Sequence, residues 1–73
     1  MIQNYAIVIE RGNEGGFGAY APDVPGCIAV GKTEQEVLNR IREALAFHFK
    51  ALAADGEPMP APTSTVDYVA LAS

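Results

Sequence analysis

The run Tyr5-Ala6-Ile7-Val8-Ile9 is short, β-branched and aromatic, and it predicts a first strand. It is apolar on both faces, so the pattern expects it to be central or covered twice. Gly12-Asn13-Glu14-Gly15-Gly16 follows, with residues that accept the positive φ angles of a tight reversal, so a hairpin is expected. The return strand is Phe17-Gly18-Ala19-Tyr20-Ala21. Its period of two puts Phe17 and Ala19 on one face and Gly18 and Tyr20 on the other. Pro22-Asp23-Val24-Pro25-Gly26 then stops the ladder, because neither proline donates a backbone hydrogen bond. Cys27-Ile28-Ala29-Val30 is a third short strand, closed by Gly31.

The period changes at Thr33-Glu34-Gln35-Glu36, which reads as a capping box: Thr33 accepts from the Glu36 amide while Glu36 reaches back to the Thr33 amide. A helix from about Glu34 to Asp55 follows. Val37, Leu38, Ile41, Leu45, Phe49 and Leu52 form one apolar stripe, flanked by Ala44 and His48. Glu36, Asn39, Arg40, Glu43 and Lys50 take the opposite side, and Gly56 suits the C-cap. Pro58, Pro60 and Pro62 make a stiff connector of polyproline character. Thr65-Val66-Asp67-Tyr68-Val69-Ala70-Leu71 is rich in β-formers and predicts a last strand. The order is β-β-β-α-β, an α+β unit: a three-stranded antiparallel sheet, a fourth strand added to it, and one helix on a face.

Composition narrows what such a unit can do. At 73 residues and 49% hydrophobic, the chain is a single globular domain with a small core, so self-association is expected. Nine acidic residues against five basic ones give a net charge of −4, which disfavours nucleic acid or an anionic membrane as main partner and suits a basic protein. The one cysteine, Cys27, excludes an intrachain disulfide. Met1-Ile2-Gln3-Asn4-Tyr5 carries no basic region ahead of an apolar one, and no apolar run approaches the ~20 residues of a spanning helix. A soluble, cytoplasmic protein is expected.

Candidate chemistry is sparse. His48 is the only histidine, so no histidine pair can hold a metal; at the edge of the apolar stripe it reads as a packed side chain. Cys27 reads as a small half-buried residue, since nothing but His48 could activate it. The carboxylates fall mostly on turns and on the solvent side of the helix; Glu10, Asp23 and Asp67 alone could approach one another at strand ends. The glycines from Gly12 to Gly18 lack the GK[ST] ending of a phosphate loop and precede a strand. No catalytic residue, cofactor or metal is expected. Phe47 is different, because it lies nearly opposite the apolar stripe among Arg40, Glu43 and Lys50, as interface anchors do.

The most specific stretch is Tyr20-Ala21-Pro22-Asp23-Val24-Pro25-Gly26-Cys27-Ile28-Ala29-Val30-Gly31-Lys32-Thr33. It resembles the signature of HicB-type antitoxins: a strand, Pro-Asp-hydrophobic-Pro-Gly-Cys, a short strand, then Gly-x-Thr opening an amphipathic helix. Glu34, Glu36 and Glu43-Ala44-Leu45 match the family's helix positions, and Pro58-x-Pro60 matches its exit. The resemblance covers essentially the whole chain. It implies a truncated RNase H-like β-β-β-α-β fold without nuclease activity. It also implies a HicA-type toxin as partner, a small basic ribosome-independent mRNA endoribonuclease whose RNA-binding surface or active site is masked. Many members carry a C-terminal DNA-binding domain; this chain ends after its last strand, so direct DNA binding is not expected.

The expected function is therefore toxin neutralisation, with Tyr20, Pro22, Asp23, Val24, Pro25, Gly26, Glu36, Glu43 and Phe47 as contact candidates. The alternatives are a self-associating HicB-like domain without a toxin, dimeric or tetrameric, and a residual RNase H-like hydrolase.

Overall fold

The computed structural model describes residues 3–72; Met1 and Ile2, part of the segment read above as lacking a leader, and Ser73 lie outside the described residues. Three strands, β1 (Val8–Arg11), β2 (Phe17–Tyr20) and β3 (Ile28–Gly31), precede one helix, α1 (Glu34–Ala54). The sheet is antiparallel throughout, in the order β1-β2-β3. The hairpin forms at the glycine cluster, where the Gly12 amide donates to the Gly16 carbonyl at 2.7 Å and Gly15 takes φ +92°.

β1 begins three residues later than the apolar run. Val8 pairs with Tyr20, so Ile7 and Ala6 stand opposite Ala21 and Pro22, where the chain turns away and Pro22 has no amide to offer. At its other end the register carries β1 to Arg11, opposite Phe17.

The register also sorts side chains by face. Ile9, Ala19 and Ala29 are cross-strand partners beneath the helix, whereas Val8, Tyr20 and Ile28 line the other face. Small residues lie under α1 because the helix comes close: a Cβ on Gly31 would sit 2.8 Å from the Val37 amide nitrogen. The buried core is Ala19, Ala21, Val24, Cys27, Val37 and Ile41, ringed by Tyr5, Ile7, Phe17, Leu38, Leu45 and Phe49 among others.

Thr33 caps α1, its Oγ1 accepting from the Glu36 amide at 3.0 Å. The return bond of the capping box is shifted: the Glu36 carboxylate accepts from the Lys32 amide at 2.8 Å, not from Thr33. At the C-terminus Gly56 takes φ +70°, its amide donates to Ala53 and the Glu57 amide to Leu52, which is a Schellman ending.

The fourth strand does not form. Beyond Gly56 the chain has no helix or strand among the described residues, and Val66, Tyr68, Val69 and Leu71 are exposed. The physical reason lies upstream. The connector is held to the sheet at Tyr5, whose hydroxyl donates to the Pro60 carbonyl at 2.6 Å, and then at Asp23 in the β2–β3 loop. That path carries it past the end of β2, away from the outer edge of β1.

Candidate partner-binding surface

The segment Pro22–Gly26 is shaped by two successive turns. The Val24 amide donates to the Ala21 carbonyl at 3.0 Å, and the Cys27 amide to the Val24 carbonyl at 3.2 Å. Gly26 takes φ +85°, a left-handed conformation that a side chain would strain. The turns point Ala21, Val24 and Cys27 inward, and all three are buried. Pro22, Pro25 and Gly26 face solvent. Val24 is thus an apolar plug under the loop, and only the rim around it is open to a partner. Apolar residues at a spacing of three are the signal in the sequence for this arrangement.

Asp23 is occupied within the chain. Its carboxylate accepts from the amides of Thr63 and Ser64, each at 2.9 Å, and from their hydroxyls at 3.1 and 2.7 Å. The Ser64 hydroxyl and amide hold the Asp23 carboxyl below its usual value of 3.8; desolvation opposes them, and the Thr63 hydroxyl and amide add to the lowering. A depressed folded-state pKa means that the clamp is fully present above the ordinary carboxylate range and is lost as pH falls through the depressed value. Protection of the Thr63 and Ser64 amides from hydrogen exchange is therefore expected at neutral pH and lost in acid below pH 3.8. In Asp23→Ala it is expected to be lost at neutral pH too, since both amides share one acceptor, Oδ2, and lose it. Equal protection of these amides in wild type and Asp23→Ala would contradict the clamp.

The remaining candidates divide between two surfaces. Tyr20 lies on the face of the sheet away from α1, beside Ile28 and Val30, which are 71% and 68% exposed. Ile28 and Val30 were not among the residues singled out from the sequence. Their signal is the alternation Cys27-Ile28-Ala29-Val30-Gly31, in which the small members go under the helix and the branched ones go outward. Glu36, Glu43 and Phe47 lie along one outer stripe of α1, with Phe47 76% exposed. Arg40 sits between them, its Nη1 donating to the Val30 carbonyl at 3.0 Å and its Nη2 3.7 Å from Glu36. This ties the stripe to the β3 side of the sheet.

His48 is half-buried, its ring centre 6.2 Å from that of Phe49. Cys27 is a free thiol pushed up in pKa by burial, which keeps it protonated and unreactive. Among the described residues no three of His, Cys, Asp and Glu gather into a metal-binding group, and Glu10, Asp23 and Asp67 do not converge. No helix among them is long and apolar enough to cross a membrane.

The family model described as HicB_like antitoxin of bacterial toxin-antitoxin system matches residues 5–72. Antitoxin HicB 1 of Photorhabdus laumondii is 34% identical over 67 residues, covering 89% of this chain and 43% of the relative. A UPF0150 protein of Synechocystis is 34% identical over 59 residues, covering 81% of this chain and 75% of the relative. An uncharacterised 14.9 kDa protein of Haemophilus phage HP1 is 35% identical over 65 residues, with 89% of this chain and 48% of the relative covered. The chain thus spans less than half the length of two of these relatives. The crystal structure of the N-terminal domain of the Burkholderia pseudomallei antitoxin HicB superposes with a TM-score of 0.74 at 29% identity, over 81% of this chain and 69% of that one. The family match runs through the strands, the Pro22–Gly26 loop, the helix and the Asp23-clamped connector alike, and the chain belongs to the HicB-like antitoxin family.

Proposed function

We propose that this protein neutralises a HicA-type toxin, a small basic mRNA endoribonuclease, by binding it and masking its RNA-binding surface or active site. Membership of the HicB-like antitoxin family across residues 5–72 carries this reading. The outer stripe of α1 supports it: Phe47 offers a large apolar contact beside the carboxylate of Glu43, with Glu36 further along. The rim of the Pro22–Gly26 loop and Tyr20 form the second contact region, with Asp23 and Val24 holding that rim from behind. The net charge of −4 favours a basic partner and speeds the encounter.

In this proposal residues 1–73 form one domain with the chain path of a truncated RNase H-like fold. The role is non-enzymatic and cytoplasmic, and it requires no cofactor, metal, membrane or direct contact with DNA. Phe47→Ala is expected to weaken toxin binding by about 10- to 100-fold and to leave the thermal midpoint of the free protein unchanged. Titration calorimetry against a small basic protein of the HicA type measures this. If that protein forms no complex with the wild-type chain and its toxicity is not relieved on co-expression, the proposal fails.

A specific observation favours a second, compatible property, self-association as a dimer or tetramer. Tyr20, Ile28 and Val30 leave the sheet face opposite α1 apolar and open, and the C-terminal residues are apolar and open as well.

A further inference from the structure

Between the residues that lead into β1 and the helix lies a groove of about 700 Å³. Tyr5 and Ile7 form one wall, Leu38, Leu45 and Phe49 of α1 the other, and Ile41 lies at its floor. The groove lies where a strand added beside β1 would drop alternate side chains between sheet and helix. Among the described residues β1 is a sheet edge with no strand beyond it, whereas at the opposite edge Arg40 already occupies the Val30 carbonyl.

The same chain carries a segment suited to that position but placed elsewhere. Thr65–Leu71 alternates, with Val66, Tyr68 and Ala70 on one side of an extended chain and Asp67, Val69 and Leu71 on the other. It is not paired, and Tyr68 is 89% exposed. The connector lines the groove at Met59, and the Asp23 clamp on Thr63 and Ser64 then launches the segment from beyond the end of β2. The described chain is accordingly drawn out to 49 Å along its longest axis, against 26 and 19 Å along the others.

We propose that Thr65–Leu71 of one copy adds as a fourth strand beside β1 of a second copy, filling the groove against α1, with the reciprocal exchange closing a two-fold dimer. Each copy holds both a donor segment and an acceptor groove, so the exchange satisfies both at once and leaves no free edge at β1. The seven residues from Thr65 to Leu71 extend roughly 23 Å, enough to run along β1 and the apolar residues before it. Val66, Tyr68 and Ala70 are the side that enters the groove, where they meet the apolar walls of Tyr5, Ile7, Leu38, Leu45 and Phe49, and Asp67 stays on the outer side.

This inference rests on the self-association reading, and one experiment separates the two. Light scattering and sedimentation are run on the full chain, on Tyr68→Asp and on Ile28→Asp, with circular dichroism as a check of folding. Both side chains are exposed in the single chain, so both variants are expected to fold. The expected result is a wild-type dimer, association weakened at least about tenfold by Tyr68→Asp, and no such change in Ile28→Asp, which alters the open sheet face. A dimer that survives Tyr68→Asp but is lost in Ile28→Asp overturns the exchange and leaves face-to-face association standing. A wild-type monomer overturns both, whether its C-terminal segment is folded back on its own groove or free for a different partner.

Discussion

Ile41→Ala is expected to lower stability by about 2–5 kcal/mol. Ile41 is 1% exposed and is the largest of the fully buried side chains, standing over the small sheet residues Ala19 and Ala29. Those neighbours cannot expand to fill the space it leaves, so the transfer cost and the cavity cost add. A domain of this length has roughly 4–11 kcal/mol of total stability, so the loss is a large fraction of it. The effect is read from urea unfolding as a fall in the midpoint at unchanged slope. A midpoint shift below the equivalent of about 1 kcal/mol contradicts the placement of Ile41 at the centre of the core.

Gly31→Ala is expected to cost about 1–3 kcal/mol for the opposite reason, too little room. The added Cβ would stand 2.8 Å from the Val37 amide nitrogen, 3.1 Å from its Cα and 3.3 Å from the Glu36 carbonyl carbon. All three are backbone atoms of the first turn of α1. They cannot swing aside, so the helix start has to lift off β3 and disturb the Thr33 cap. Gly18→Ala is the control: on the open face its Cβ would meet nothing closer than the Ala29 carbonyl oxygen at 3.9 Å. Differential scanning calorimetry should show Gly31→Ala well below wild type and Gly18→Ala close to it. Equal melting temperatures for the two variants would mean that the helix does not approach β3 this closely.

The two substitutions mark different levels of legibility in the sequence. Ile41 follows from period alone, as one member of the helical apolar stripe. Gly31 reads only as the end of a strand, because its neighbours Glu36 and Val37 meet it only once α1 is laid across the sheet. The Pro22–Gly26 loop divides in the same way. Its stiffness is visible in two prolines and a glycine, and so is its likeness to an antitoxin family. The sequence does not display Val24 as a plug beneath the loop. Nor does it display Asp23 as a clamp on residues 40 and 41 positions away. Carboxylates at turns usually face water, and nothing local marks one that will meet a distant hydroxyl.

The contact candidates show the same boundary. Phe47 lies outside the apolar stripe on a helical wheel, and the structure leaves it exposed. Ile28 and Val30 look like core residues by composition, and the structure puts both outside. The close helix accepts only Ala29 and Gly31 on its side of β3, so the larger residues of the alternation face outward.

The sequence by itself determined the elements whose energetics are local: the Thr33 cap, the stripe of α1, the Gly56 ending and the glycine-rich hairpin. Each is settled by hydrogen bonds and dihedral preferences within a few residues, so a short stretch carries the whole instruction. Only the tertiary structure decided which face of the sheet is covered, where β1 begins to pair, and what becomes of Thr65–Leu71. That segment has the composition of a strand, but pairing requires an edge within reach, and the Asp23 clamp sends it away from the one its own chain leaves open.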